Sequence, residues 1–124
     1  MSLSLLAVNV GSASLKAASY LLSRSGEIRE TGRVAMEDKL SSSTTDAEDP
    51  DHILASVVAQ LPSLGEPDRT VHRIVHGADR ISPFELTSTG FDELDALSPL
   101  APLHQPPALA VARAAMQRWP DARH

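Results

Sequence analysis

Short apolar runs separated by turn residues dominate the start of the chain. Residues 2–9 are mostly apolar and precede the small residues of 10–14, a pattern typical of a buried strand followed by a turn. Residues 15–22 fit a strand or a helix by periodicity alone, but the Ser-Arg-Ser-Gly turn signal at 23–26 favours a hairpin with a partner strand at 27–35. We therefore predict three successive strands.

A polar stretch separates this hairpin region from the next apolar pattern. Residues 38–51 are acidic and rich in Ser and Thr, which predicts a mobile loop. We predict that Asp51 caps a helix that begins near His52 and ends near Leu61, because one apolar stripe runs along that segment. The β-branched, alternating residues 70–76 predict a strand that Gly77 ends.

Proline governs the pattern in the last third of the chain. A short helix is expected to begin at Gly90 or Phe91 and to end before Pro99. Four prolines at 99–107 argue against regular structure there, and the Ala-rich residues 108–118 predict a helix. The final residues, 121–124, resemble a link toward a further strand, which is a first hint that the chain is a fragment.

Composition narrows the function classes. The length of 124 residues predicts a single domain, and the net charge of −5, with 16 acidic and 11 basic residues, disfavours nucleic-acid binding. The absence of cysteine excludes disulfides, thiolate zinc sites and cysteine nucleophiles. The apolar run 5–8 is too short for a signal peptide or a membrane span, so we expect a cytoplasmic protein that does not bind membranes.

The segment Asn-Val-Gly-Ser-Ala-Ser-Leu-Lys at 9–16 lies between the first two predicted strands. Gly11 permits unusual backbone angles, and small neighbours let main-chain N–H groups approach an anion. Ser12 and Ser14 offer hydroxyl groups, and Lys16 shares a strand face with Ser14 and adds a positive charge. The segment is therefore a candidate phosphate clamp, and a polar hairpin turn without a ligand is the alternative.

The segment His-Arg-Ile-Val-His-Gly at 72–77 suggests two kinds of site. On a strand, His72 and His76 would lie about 13 Å apart at roughly 3.3 Å per residue, too far for one metal ion. Arg73 and Val75 would share the opposite face, where a guanidinium could bind a small carboxylate and the valine its alkyl end. A structural salt bridge of Arg73 is the alternative.

The segment Leu-Ala-Pro-Leu-His-Gln-Pro-Pro at 100–107 is stiffened by its prolines. It would hold His104 in a defined position, where the imidazole could contact a ligand. His104 could equally cap the helix that follows or fill a polar niche.

The sequences and the order of these three motifs resemble those of acetate kinase and its relatives, the propionate and butyrate kinases. The family's Asn-x-Gly-Ser-Ser-Ser-x-Lys is NVGSASLK here, its His-Arg-Val-Val-His-Gly-Gly is HRIVHGA, and its Ala-Pro-Leu-His-Asn-Pro-Pro is APLHQPP. The resemblance covers nearly the whole chain, but only the first part of the family's length.

The resemblance implies a role for each matching residue. The residue implied to contact magnesium is Asn9. Those implied to bind the phosphates of ATP are Ser12, Ser14 and Lys16. Those implied to bind the carboxylate substrate are Arg73, Val75, Leu103 and His104. The family's catalytic aspartate would lie beyond the end of this chain, so the resemblance implies no catalytic residue within it.

The resemblance also implies a fold and an activity. The fold would be an α/β, ribonuclease-H-like amino-terminal domain of the actin and hexokinase type, with a mixed sheet, flanking helices and an absent carboxy-terminal domain. The activity would be phosphoryl transfer between ATP and acetate, giving acetyl phosphate and ADP, with Mg²⁺, in a family that forms homodimers. This portion alone is expected to be inactive.

Three differences from the family's motif sequences leave other functions open. Ala13, Ala78 and Gln105 replace a serine, a glycine and an asparagine. A noncatalytic remnant, or a phosphate-binding or partner-binding module, is therefore one alternative, and propionate or butyrate as the acceptor is another. Every version that keeps the site requires the first hairpin bend and the guanidinium of Arg73 to face one cleft.

Overall fold

The computed structural model describes residues 2–11, 14–37 and 49–124. The three predicted strands are confirmed: β1 spans Leu3–Val10, β2 spans Ser14–Leu22 and β3 spans Ile28–Glu37. The ambiguous second segment is a strand because it pairs with both neighbours along its whole length.

These strands form a mixed sheet with a fourth strand, β4, at Arg69–His72. The order is β3-β2-β1-β4, with β1, β2 and β3 antiparallel and β4 parallel to β1. The register pairs Asn9 with Lys16 and Val8 with His72, so the bend between β1 and β2 and the last residue of β4 lie at the same end of the strands.

The predicted strand at 70–76 is too long by four residues. The Arg73 N–H still donates to the carbonyl of Val8 at 3.0 Å, but the chain then leaves the sheet. The cause is a long-range contact: the side chain of Gln105 binds the backbone of His76. Alternation along the sequence carries no information about such a contact.

Three α-helices follow, and each begins earlier than predicted. Helix α1 spans Pro50–Ala59, α2 spans Ser88–Asp95 and α3 spans Gln105–Arg118. The prediction that Asp51 caps α1 is wrong, because Asp49 accepts a hydrogen bond from the Asp51 N–H. The predicted loop therefore ends before Pro50, and its residues 38–48 lie outside the described part of the chain.

The proline-rich stretch holds more regular structure than predicted. Ser98–Leu100 form a 3₁₀ helix, and α3 begins at Gln105 with two prolines in its first turn. Proline is tolerated there because the first N–H groups of a helix have no partner within it. The prolines therefore place the start of α3 rather than delaying it.

One face of the sheet carries the core. Leu6 and Val8 of β1 and Leu15 of β2 pack against α1 and α3, where Leu54 and Val111 are fully buried. A smaller cluster joins Phe91 and Leu94 of α2 to Leu109 and Ala112 of α3. The opposite face of the sheet exposes Arg33, Ala35 and Val71 and borders a cavity of about 510 Å³.

The free edge of β4 meets the last residues of the chain. The Thr70 N–H donates to the carbonyl of Arg123 at 2.8 Å, and the Arg123 N–H donates to the carbonyl of Asp68 at 3.1 Å. These bonds form an isolated parallel bridge between Arg69 and Arg123. The last residues therefore lie beside β4 in a parallel arrangement.

No helix in the described ranges combines the length and the apolar character that crossing a membrane requires. The longest of them, α3, has 14 residues, whereas a membrane-spanning helix needs about 20.

Candidate active site

The bend between β1 and β2 forms one wall of the candidate site. Asn9 and Lys16 pair directly across the two strands, so both side chains project from the same face of the sheet. The Gly11 N–H donates to the carbonyl of Ser14 at 2.7 Å, and a Cβ on Gly11 would lie 3.2 Å from that oxygen. A side chain would be crowded there, which accounts for the glycine. Ser12 lies outside the described residues.

The segment after β4 forms the second wall. The Arg73 N–H binds the carbonyl of Val8, which holds the Arg73 backbone beside β1. Ile74 packs into both apolar clusters, while Arg73 and Val75 on either side of it are exposed. The sequence analysis placed these two side chains together on a strand, and the structure places them together on an irregular segment anchored by Ile74.

The two walls enclose one cavity of about 440 Å³, called here the hairpin cavity. Its lining residues come from β1, β2, the segment after β4 and the start of α3. They are Asn9, Val10, Gly11, Ser14, Lys16, Arg73, Val75 and His104. Lys16 and Arg73 therefore share a cleft, as the sequence analysis required.

The hairpin cavity has a positive charge that the whole chain does not share. Among its described lining residues Lys16 and Arg73 are cations and none is a carboxylate. Within the described ranges no ion pair involves either of them, so the salt-bridge alternative for Arg73 is not observed. Two cations that have no acidic partner in the described part of the chain make the cavity suited to anions.

The proline-rich segment contributes one of its two predicted residues. His104 lines the cavity at the N-cap position of α3, but its side chain makes no capping hydrogen bond. The helix-cap alternative is therefore not observed. Leu103 has a 70% exposed side chain and is not among the lining residues.

Sequence analysis missed the role of Gln105. Its side chain is fully buried and hydrogen-bonded to the backbone of His76 and to the carbonyl of Leu94. A signal was available, because Gln105 precedes Ala108 and Leu109 by three and four residues and so belongs to the buried stripe of α3.

The described residues offer little to a metal ion on their own. They contain no group of three or more His, Cys, Asp or Glu side chains placed to hold one. Asn9 and Ser14 supply the neutral side-chain oxygens of the hairpin cavity. Mg²⁺ is usually bound through carboxylates together with substrate phosphates, so Asn9 and Ser14 fit the ion only when a substrate's phosphate oxygens also bind it.

The hairpin cavity continues over the open face of the sheet. Asn9, Lys16 and Arg73 also line the 510 Å³ cavity there, which extends past Ala18 and Val71. The candidate site is therefore the end of a longer groove, with its cationic groups where the two cavities meet.

Comparisons with known proteins identify the family and the fold of the chain. A family model described as the Acetokinase family matches residues 4–124. An acetate kinase of Deinococcus radiodurans is 33% identical over 96% of this chain and 34% of its own length. The chain thus spans about a third of the length of that curated relative.

Solved structures of two kinases share the fold. An acetate kinase from Entamoeba histolytica matches 97% of this chain and 33% of its own, with a TM-score of 0.65 and 21% identity. A propionate kinase from Francisella tularensis matches 97% and 35%, with a TM-score of 0.64 and 19% identity. The predicted ribonuclease-H-like fold is confirmed, and the chain belongs to the acetokinase family.

Proposed function

We propose that this chain supplies the anion-binding part of a site that transfers a phosphoryl group between ATP and acetate, giving acetyl phosphate and ADP. The observation that carries the proposal is the hairpin cavity, where Lys16 and Arg73 face one space without an acidic neighbour among the described residues. A propionate or butyrate acceptor would use the same groups.

The reaction brings two anions together, and the cations of the cavity offset their repulsion. Phosphoryl transfer depends on in-line positioning and on neutralising the oxygens of the transferred group rather than on covalent chemistry. In the proposal Lys16, with the hydroxyl groups of Ser12 and Ser14, neutralises the phosphates of ATP. Mg²⁺ bound to those phosphates would take Asn9 as a protein ligand and would supply further charge neutralisation.

The acceptor would occupy the side of the cavity formed by Arg73. A guanidinium presents parallel N–H groups that match the two oxygens of a carboxylate. Val75 is 51% exposed beside it and would contact the alkyl group of the acid. His104 would contact the ligand from the start of α3, whereas the exposed position of Leu103 gives its proposed contact the least support.

A second candidate is a module that binds phosphate and carboxylate without turnover. It is favoured by one observation: the described lining residues include no carboxylate that could act on the reacting groups. The two candidates predict the same binding and differ only in product formation.

An NMR titration of the chain with acetate tests the binding that both candidates require. We expect saturable shifts of the Arg73 and Val75 resonances, and binding about tenfold to a hundredfold weaker in R73L, because a charge-assisted bidentate contact is lost. R29L is the matched control, since Arg29 is an exposed arginine of β3 outside the cavity. Equal acetate affinity in R73L and the native chain would refute the proposal, as would no binding at all.

A hydroxamate assay for acetyl phosphate, with ATP, Mg²⁺ and acetate, separates the candidates. Product formed by the chain and lost in K16M would support phosphoryl transfer. Acetate binding without product would support the second candidate for the chain alone.

A further inference from the structure

We infer that Gln105 is a positioning residue that fixes the Arg73–Val75 segment against the hairpin cavity. This inference rests on the proposed function and extends it to a residue outside the cavity lining. Gln105 is fully buried, and its position at the start of α3 lets its side chain reach a segment 29 residues earlier in the chain.

The hydrogen bonds of Gln105 use its whole amide group. Its Oε1 accepts from the His76 N–H at 3.1 Å, and its Nε2 donates to the carbonyls of His76 at 2.8 Å and Leu94 at 3.2 Å. An amide carries two N–H donors and one oxygen, so both hydrogens and the oxygen are engaged. Reversing the amide would set Nε2 against an N–H and the oxygen against two carbonyls, so only this orientation fits.

The contact replaces the strand pairing that the segment loses after Arg73. The Arg73 N–H is bound to β1, and three residues later both backbone groups of His76 are bound to Gln105. Ile74 lies between these attachments and packs into both apolar clusters. The short irregular segment that carries Arg73 and Val75 is therefore fixed at both of its ends, although the side chains of these two residues are exposed.

Gln105 also links this segment to the rest of the fold. The Leu94 carbonyl belongs to the last turn of α2, so one side chain joins α2, α3 and the segment after β4. Removing the amide would leave the N–H and carbonyl of half-buried His76 without this partner, and backbone groups shielded from water rarely stay unpaired. The segment would then move toward water, and Arg73 would move with it.

Hydrogen exchange and acetate titration of the native chain, Q105M, Q105N and the control Q117M test the inference. Gln117 is an exposed glutamine of the same helix, so Q117M should match the native chain. We expect faster exchange at the His76 amide in Q105M and acetate binding about tenfold weaker. Q105N retains a shorter amide and should fall between the two.

The outcomes distinguish this inference from the proposed function. If the native chain does not bind acetate, the proposed function fails. If it binds and folded Q105M binds equally well, only the positioning role fails. Should Q105M not fold, the native chain still decides: a His76 amide that exchanges as fast as the exposed amides of the same segment would overturn the inference.

Discussion

Ala78 adopts a backbone conformation that residues with side chains rarely occupy. Its φ is +58°, in the left-handed region, and its N–H donates to Nδ1 of His76 at 3.1 Å. The family motif that residues 72–78 resemble has glycine at this position. Alanine in its place keeps the turn but adds steric strain. The turn itself follows directly on the segment that Gln105 holds.

Replacing Ala78 by glycine should stabilise the chain. A left-handed alanine costs about 1–2 kcal/mol, which the glycine would remove. Glycine also raises the conformational entropy of the unfolded chain, which offsets part of this stabilisation, so A78G should raise the free energy of unfolding by about 1 kcal/mol. Urea unfolding measures the change. The control A110G, in helix α3, should instead lose about 1 kcal/mol. A destabilised A78G would contradict the strain argument.

A chain of hydrogen bonds fixes the proton positions of His72 and His124. A carbonyl only accepts, so Nε2 of His124 donates to Trp119 at 3.0 Å, and in neutral His124 Nδ1 accepts from the Thr70 hydroxyl at 2.6 Å. The Thr70 oxygen then accepts from Nε2 of His72 at 3.0 Å. Burial, and secondarily His124, lowers the pKa of His72 from 6.5 to about 4.

His72 should make the stability of the chain depend on pH. The unfolded state takes up the proton near pH 6.5 and the folded state only near pH 4, so stability falls as the pH drops through that range. We expect a loss of about 2 kcal/mol, less than the full shift implies because the side chain is only half-buried.

Urea unfolding between pH 7 and pH 4 measures this dependence. H72Q retains an N–H donor toward Thr70 but cannot titrate, so its stability should fall less over that interval. H52Q replaces an exposed histidine of α1 and should follow the native chain. The assignment to His72 fails if H72Q and the native chain have the same pH profile.

At the scale of the elements, helix α1 begins at a cap that the sequence pattern placed two residues late. Asp49 has the extended backbone of a cap and binds the Asp51 N–H at 3.1 Å. D49A should therefore cost about 1 kcal/mol, the usual loss for a cap. D51A loses only a first-turn charge and a 3.9 Å contact with Arg118, worth less than about 0.5 kcal/mol. Thermal unfolding of the two variants compares them, and a larger loss in D51A would restore the original assignment.

The elements differ in how far the sequence could predict them. The three strands of the hairpin region follow from apolar alternation and a turn signal, both of which are local. The end of β4 depends instead on the hydrogen bonds between Gln105 and His76, which are distant in the sequence. Prolines at 106 and 107 indicated a break, although the first turn of a helix accepts them.

The sequence indicated which residues could form a site, but not the segment that supports some of them. Lys16 and Arg73 carry recognisable chemistry, and the parallel pairing of β1 with β4 brings them to one cavity. The irregular segment that presents Val75 could not be predicted, because its path is set by Gln105 and by the packing of Ile74. Exposed Leu103 shows that neighbouring positions in a motif can have different environments.

At the scale of the whole molecule, α3 joins two apolar clusters. Ala108, Val111 and Ala115 pack with the sheet and α1, whereas Leu109 and Ala112 pack with α2. Ile74 touches both clusters, so the segment that carries Arg73 and Val75 rests on the junction. The position of the site therefore depends on both clusters remaining folded together.

This shared helix predicts a single unfolding transition for the whole chain. L109A alters the smaller cluster and should cost about 2–4 kcal/mol, as a buried leucine does. Trp119, the only tryptophan, lies in the larger cluster, so its fluorescence reports on the part that the substitution does not touch. If α3 couples the clusters, urea midpoints from Trp119 fluorescence and from circular dichroism fall together in L109A.

The control L103A, at an exposed leucine, should change the free energy of unfolding from either signal by no more than about 0.5 kcal/mol. An unchanged fluorescence midpoint beside a lowered dichroism midpoint would mean that the clusters unfold independently, and Ile74 would then hold the Arg73 segment to only one of them.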